Sequence, residues 1–266
     1  MLKLRTLSFG AILTAGALFS CQTEEVPMMQ DEISDLTLSQ IRNLGFNTDN
    51  VTRTEEGYLV EGDILLRDQD LSGPADSKKL RIAEVEQYHT FNLVSGAPRT
   101  IVVTTSGSNI TSRLSDGIDG AIARYNAQNL GLTFVRGGSS GGGDINIRVV
   151  NTRQYIASAG FPSGGDPYGS ISYAKAYNNY SLGFVTTVIA HEIGHCIGFR
   201  HTDYMNRAYS CGSGGNEGQE TSGVGAVHIP GTPTGPDAAS WMLACLSSTT
   251  DRPFNNNDRT ALDYLY

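Results

Sequence analysis

Three of the five histidines in this 266-residue chain fall within one short run. The run is His191-Glu192-Ile193-Gly194-His195-Cys196-Ile197-Gly198-Phe199-Arg200-His201, and it fits H-E-x-x-H-x-x-G-x-x-H at every specified position. In a helix of ~3.6 residues per turn, His191 and His195 are about 40° apart around the axis and one turn removed along it. Both imidazoles then lie on one face and can share a metal ion. Glu192 sits beside the first ligand, where it can reach a metal-bound water without displacing it. Gly198 tolerates positive φ, so it can end the helix and turn the chain back. That turn returns His201 to the metal as a third ligand. Three neutral imidazoles leave one position open, which is the pattern of a catalytic zinc site and not of a structural one.

These side chains need a scaffold, and the rest of the chain reads as one. Leu182 to Ala190 is mostly apolar and uncharged, as expected for the buried first turns of the helix that carries the two histidines. Arg99 to Thr105 is β-branched and reads as a strand. Ile110, Leu114, Ile118, Ile122 and Tyr125 mark an amphipathic helix over 110–129. Leu132-Thr133-Phe134-Val135, Asp144 to Val150 and Ser170 to Ala174 read as three further strands. The result is an α+β order of strand, helix, strands and zinc helix. The glycine- and serine-rich stretch 137–143 lacks the lysine and following helix of a phosphate cradle and reads as a flexible loop. Ahead of this unit, Ser39 precedes a short helical stretch, Gln40 to Leu44, that Gly45 stops. Tyr58 to Leu66 then places apolar residues on both sides of a Glu61-Gly62-Asp63 turn, and 67–84 reads as a polar linker with Lys78-Lys79 as a cleavage site.

The zinc run resembles that of the metzincin metallopeptidases, and His191 to His195 spell the name of the bacterial dual-action HEIGH metallopeptidases. Ser240-Trp241-Met242-Leu243 resembles the metzincin methionine turn, with Met242 beneath the metal. Asp258 to Tyr266 resembles the closing helix of those domains. The resemblance implies a twisted sheet with long helices, a zinc helix, a methionine turn and a C-terminal helix, preceded by a small propeptide-like segment. It implies a peptidase with Zn²⁺ as cofactor, Glu192 as general base and Ser170 to Ala174 as the sheet edge on which an extended substrate pairs. There are departures. The residue after His201 is Thr202, outside the best-known subfamilies, and Ala244 stands where astacin-type enzymes place an auxiliary tyrosine. Tyr204 is either a substitute for that tyrosine or a packing residue. Val60-Glu61-Gly62-Asp63-Ile64 resembles the Phe-x-Gly-Asp box of astacin propeptides, which implies that Asp63 fills the metal's open position and keeps the uncleaved chain latent.

The ends and the composition set the context. Lys3, Arg5 and the apolar run Leu7 to Phe19 form a secretory signal. Leu18-Phe19-Ser20-Cys21 resembles a lipobox, with Cys21 as the lipidated residue. The domain plan is a signal at 1–20, an acidic tether at 21–35, a propeptide-like segment with its linker at 36–95, and the peptidase domain at 96–266. A formal net charge of −8 argues against nucleic acid as a partner. The expected partners are protein or peptide substrates, with membrane contact only through the lipid anchor of a monomeric exported lipoprotein at the outer membrane or cell surface; a plain signal with an unrelated Cys21 would instead make it a secreted protein. Three further cysteines permit one disulfide in an exported chain. Cys211–Cys245 and Cys196–Cys245 are both open, the first of them stapling a glycine-rich loop. His228, within that loop region, either lines the cleft or acts as an alternative metal ligand, although His201 already fills the third-ligand position. The rival readings are a catalytically silent zinc lipoprotein used for binding or adhesion, and a structural zinc domain.

Overall fold

The computed structural model describes residues 33–72, 87–217, 225–233 and 235–266. The expected signal segment, Cys21, most of the tether and Lys78-Lys79 lie outside them. Helix α1 (Asp35–Asn43) begins at Ser34, whose hydroxyl accepts from the Thr37 amide, and Gly45 turns away from it at φ 98°. Ser39 is therefore inside the helix and is not its cap. Ser34 wins because it is followed by Asp35, which suits the positive end of the helix dipole. Strands β1 (Thr52–Thr54), β2 (Gly57–Val60) and β3 (Ile64–Leu66) form an antiparallel sheet. Val60 pairs with Ile64, so Glu61, Gly62 and Asp63 make the turn between them. A small core gathers here from Ile41, Phe46, Val60, Ile64, Leu66 and Leu71, together with Phe161.

Next come β4 (Tyr88–His89), β5 (Arg99–Ser106), helix α2 (Ser112–Asn126), β6 (Leu132–Arg136), β7 (Ile145–Val150), β8 (Ala157–Ser158) and β9 (Ser170–Ala174). The main sheet runs β6-β5-β7-β9-β8, parallel except for β8. Ile101 and Val103 of β5 point into the core, as do Ile145 and Ile147 of β7. Thr111 caps α2, whose Leu114, Ile118, Ala121, Ile122 and Tyr125 are buried at helical spacing. A Cβ on Gly117 would lie 2.5 Å from Val185 Cγ1 in the zinc-motif helix, so glycine lets the two helices approach closely. That helix, α3 (Leu182–Ile197), is followed by β10 (Phe199–Arg200), α4 (Ala208–Cys211), β11 (Val227–His228) and α5 (Asn256–Leu265). Strand β4, from the segment read as propeptide and linker, lies between β10 and β11. Asn255 and Asp258 form a capping box that starts α5. None of the described helices is long and apolar enough to cross a membrane.

One expectation is overturned. Ser170 to Ala174 is not an edge, because β8 pairs antiparallel with it through Ala157–Tyr173 and Ser158–Ser172. Strand β8 has only two residues and no readable alternation, so nothing in the sequence announced it. Just beyond it, Ala159 is engaged by the β2–β3 hairpin. The Leu65 amide donates to the Ala159 carbonyl at 2.7 Å, and the Ala159 amide donates to the Asp63 carbonyl at 3.0 Å.

Candidate metal centre

Helix α3 is buried along nearly its whole length, and its last turns carry His191, Glu192 and His195. Gly198 ends it at φ 111°, and a Cβ there would meet Leu93 Cδ2 at 2.7 Å. The chain returns through β10, which places His201 beside the helix. His195 Nε2 lies 3.0 Å from His191 Nε2 and 3.2 Å from His201 Nε2. Asp63 Oδ2 joins them, 3.0 Å from His201 Nε2 and 3.5 Å from His191 Nε2. The four ligand atoms form one cluster of metal-binding dimensions.

The other ring nitrogens decide whether this cluster suits a cation. His191 Nδ1 is 2.8 Å from the Trp241 carbonyl, and His195 Nδ1 is 2.8 Å from the Phe199 carbonyl. His201 Nδ1 is 2.9 Å from Glu217 Oε2. All three partners are acceptors, so each Nδ1 carries the proton and donates it. In a neutral ring the Nε2 atom then holds a lone pair. The three Nε2 atoms converge at about 3 Å with a carboxylate oxygen among them, so the cluster calls for a positive charge at its centre, which a bound metal ion would supply and which a proton on His201 supplies without one. Burial and the flanking histidines hold His195 well below the ordinary imidazole range, which keeps it a neutral ligand. Burial opposes charge on His201, but the carboxylates of Asp63 and Glu217 together raise it well above that range. Burial alone would raise Asp63, yet His201 and the bonds from both rings hold it well below the usual carboxylate range.

A turn beneath the site fixes the first ligand. Trp241 supplies the carbonyl that receives His191, and the Met242 carbonyl receives the Thr202 amide at 3.0 Å. Met242 packs directly under α3: a Cβ on Gly194 would lie 2.6 Å from Met242 Sδ and 3.2 Å from Trp241 Nε1. Glycine at this helix position is therefore a close-approach residue.

The hairpin tip is locked over the histidines. Arg200 donates to Glu61 Oε1 at 2.7 Å, with both side chains almost completely buried. Burial pushes the Glu61 carboxyl up to about 8 against the pull of Arg200. A pair so costly to desolvate contributes little net stability and mainly specifies where the hairpin seats. Arg207 Nη1 donates to the Glu61 carbonyl, and to Glu217 Oε1 at 2.6 Å. Glu192 is buried in the same pocket, and its Oε2 has no hydrogen-bond partner among the described residues. Burial raises its carboxyl well above the usual range, and the neighbouring Asp63 adds to the shift.

The family model of the dual-action HEIGH metallo-peptidases matches residues 60–266. The chain belongs to this family. No curated protein matches the sequence. Two solved structures of myroilysin are similar to it. One shares 14% identity at a TM-score of 0.46, over 66% of this chain and 96% of its own. The other shares 15% at a TM-score of 0.40, over 66% of this chain and 88% of its own.

In this metallopeptidase the fold brings His191, His195, His201, Glu192 and Asp63 into one pocket, with Met242 beneath. Cys211 is bonded to Cys245, 34 residues away, and Cys196 is buried in α3 as a free thiol. Tyr204 is buried against Tyr88, ring centroids 4.3 Å apart, and packs there instead of joining the metal cluster. His228 lies in β11 with Nε2 3.1 Å from Thr232 Oγ1, also outside the cluster. Sequence reasoning missed Glu217, Arg207 and the Glu61–Arg200 pair. Glu217 sits in a glycine-rich stretch without periodicity, and the sequence offers nothing there to separate it from Glu220 three residues on.

Proposed function

We propose that this chain is a zinc-dependent peptidase with a metzincin-like catalytic domain, made in a latent form. The observation that carries the reading is the convergence of three histidine Nε2 atoms with Asp63 Oδ2. The donor set of three imidazoles and one carboxylate suits Zn²⁺. Bound there, zinc supplies a Lewis acid and lowers the pKa of a water toward ~7. Glu192 is the general base: its Oε2 is buried with no partner among the described residues, and departure of Asp63 together with a bound cation would favour the carboxylate form that accepts a proton from the attacking water. It then returns that proton to the leaving amine nitrogen. Asp63 is the latency ligand, because its carboxylate takes the place beside Glu192 where water and a scissile carbonyl must enter. Latency ends when the segment carrying the hairpin is cut away within 73–86. Cys21 as a lipid anchor places the enzyme at the outer membrane or cell surface, acting on extracytoplasmic proteins or peptides.

The test measures zinc content and casein hydrolysis for the intact protein, the protein cut within 73–86 after folding, and Glu192→Ala. The expected result is stoichiometric zinc in all three and hydrolysis in the cut wild type. Glu192→Ala should lower turnover by about 10²–10⁴-fold. A cut, zinc-loaded wild type that hydrolyses nothing would reject the reading.

A further inference from the structure

We infer that Arg207 is a substrate-binding residue of the processed enzyme, a clamp for one backbone carbonyl within two residues of the scissile bond. The inference rests on the latent-peptidase reading above. A cavity of about 190 Å³ adjoins the metal ligands, with His191, Glu192, Asp63, Val188 and Arg207 in its wall. Arg207 is the only lysine or arginine among the described residues that line it. The hairpin tip engages this guanidinium as a bound peptide would. Nη1 donates to the Glu61 carbonyl, a backbone oxygen two residues from Asp63, whose carboxylate stands at the metal ligands. A Cβ on Gly62 would lie 3.0 Å from Nη2, so the guanidinium is held close against main chain and not against a side chain.

The other contacts of Arg207 come from the part of the chain that stays. Nη1 also donates to Glu217 Oε1 at 2.6 Å, and Nη2 lies 3.5 Å from Cys211 Sγ and 3.9 Å from Cys245 Sγ, the two sulfurs of the disulfide. The Arg207 amide donates to the Gly215 carbonyl at 3.0 Å. Glu217 is itself fixed, since its Oε2 accepts from His201 Nδ1 at 2.9 Å. Departure of the hairpin therefore removes the Glu61 carbonyl, while Glu217 and the disulfide keep the guanidinium aimed at the place that carbonyl filled. Each terminal nitrogen of a guanidinium carries two hydrogens, so Nη1 can serve Glu217 and a carbonyl at once. A charged donor aimed in advance binds its acceptor without reorganising. A backbone carbonyl accepts it whatever side chain stands beside it. The clamp thus selects no residue type and instead sets the register of the peptide against the metal.

The experiment uses the full-length zinc-loaded protein, cut within 73–86 after folding. The substrate is a short peptide taken from a casein cleavage site. Each peptide bond flanking the scissile one is replaced in turn by an E-alkene, which keeps the shape and removes the carbonyl. At one position within two residues of the cleaved bond, the wild type should lose about 10- to 100-fold in kcat/KM, the worth of a hydrogen bond to a charged donor. Arg207→Met should erase the loss at that position and leave the losses elsewhere as they are. An Arg207 that only braces Glu217 and His201 would lower zinc affinity and slow every peptide together, with no position singled out. If Arg207→Met does not fold, the processed wild type is titrated with peptide 57–66 of this chain. That peptide should inhibit, and its version with an alkene at the Glu61–Gly62 bond should inhibit about tenfold more weakly. Equal inhibition by the two peptides, or an active processed enzyme in which wild type and Arg207→Met respond alike at every position, overturns the clamp and leaves the peptidase reading intact. A processed wild type that binds zinc but cleaves no peptide overturns both.

Discussion

Gly194→Ala tests whether the metal ligands depend on the turn beneath them. In an exposed helix this change would stabilise by about 1 kcal/mol, since alanine is the better helix former. Here the added Cβ would lie 2.6 Å from Met242 Sδ, about 1 Å inside ordinary contact, and 3.2 Å from Trp241 Nε1. Both residues are fully buried, so neither can swing into solvent. Overpacking of this kind costs about 1–3 kcal/mol. Set against the propensity gain, the net loss is about 0–2 kcal/mol, or up to ~8 °C in melting temperature for a domain of this size. The functional effect should be larger than the stability effect. Trp241 holds His191 through its carbonyl, so a shifted turn misaims a metal ligand. Disturbing such a partner typically weakens metal binding by about 10–100-fold. The assays are thermal unfolding of the metal-free protein and zinc competition against a chelator. Met242→Ala made in the Gly194→Ala background removes the obstructing sulfur, and the pair should be non-additive. A rise in melting temperature with unchanged zinc affinity would refute the close-approach argument.

Asp63→Ala should raise hydrolysis of a short peptide by the uncut protein, and Asp63→Ala with Glu61→Gln should raise it further; a fluorogenic peptide assay giving no increase over intact wild type would dismiss the lock. Glu217→Ala removes the acceptor of His201 Nδ1 and should weaken zinc binding by about 10–100-fold; equal affinity in a chelator titration would show that Glu217 does not orient the ligand. Replacing Cys211 and Cys245 by serine opens a loop of 34 residues, which should cost about 4 kcal/mol in urea unfolding. A loss below ~1 kcal/mol would mean the loop is restrained by other contacts.

Legibility in the sequence followed the range of the interaction. The helix carrying His191 and His195, its end at Gly198 and the return of His201 are all local, so spacing alone anticipates them. The same is true of α2, whose buried residues recur every turn, and of β5, whose β-branched run pairs on both sides. Contacts between distant residues left no such trace. Glu61 and Arg200 are far apart in the chain, and neither residue type announces a buried partner. Two-residue strands such as β8 and β4 are too short for alternation, so nothing in the sequence corrected the edge reading of β9 that the family resemblance implied. Gly194 sits at an unspecified position of the motif, and its reason is a sulfur atom contributed from Met242. The hydrophobic spacing of a helix says which face is buried but not how closely a neighbour approaches.

The proposed latency requires one hairpin to be both tight and removable. Its tip is held at a strained residue: Glu61 sits at φ 53°, a left-handed conformation that costs a non-glycine residue about 1–2 kcal/mol. Such strain persists only where the surroundings over-determine it. Here they do, through Arg200 on the side chain, Arg207 on the carbonyl and the Ala159 pairing on the next residues. Yet the buried ion pair adds little net stability, and the apolar core beneath the hairpin is small. Binding of that quality succeeds while the hairpin is tethered, because a short linker gives it an effective concentration near the millimolar range. On the proposed latency, cutting the linker would make the same contacts compete with dilution, and leaving would relieve the strain at Glu61. Asp63 and Glu61 share one three-residue turn, so on that proposal the Asp63 position at the metal and the Glu61 anchor would be released in a single event. A chain that placed the two locks on separate segments would pass through a half-open state with metal exposed and the cleft still filled.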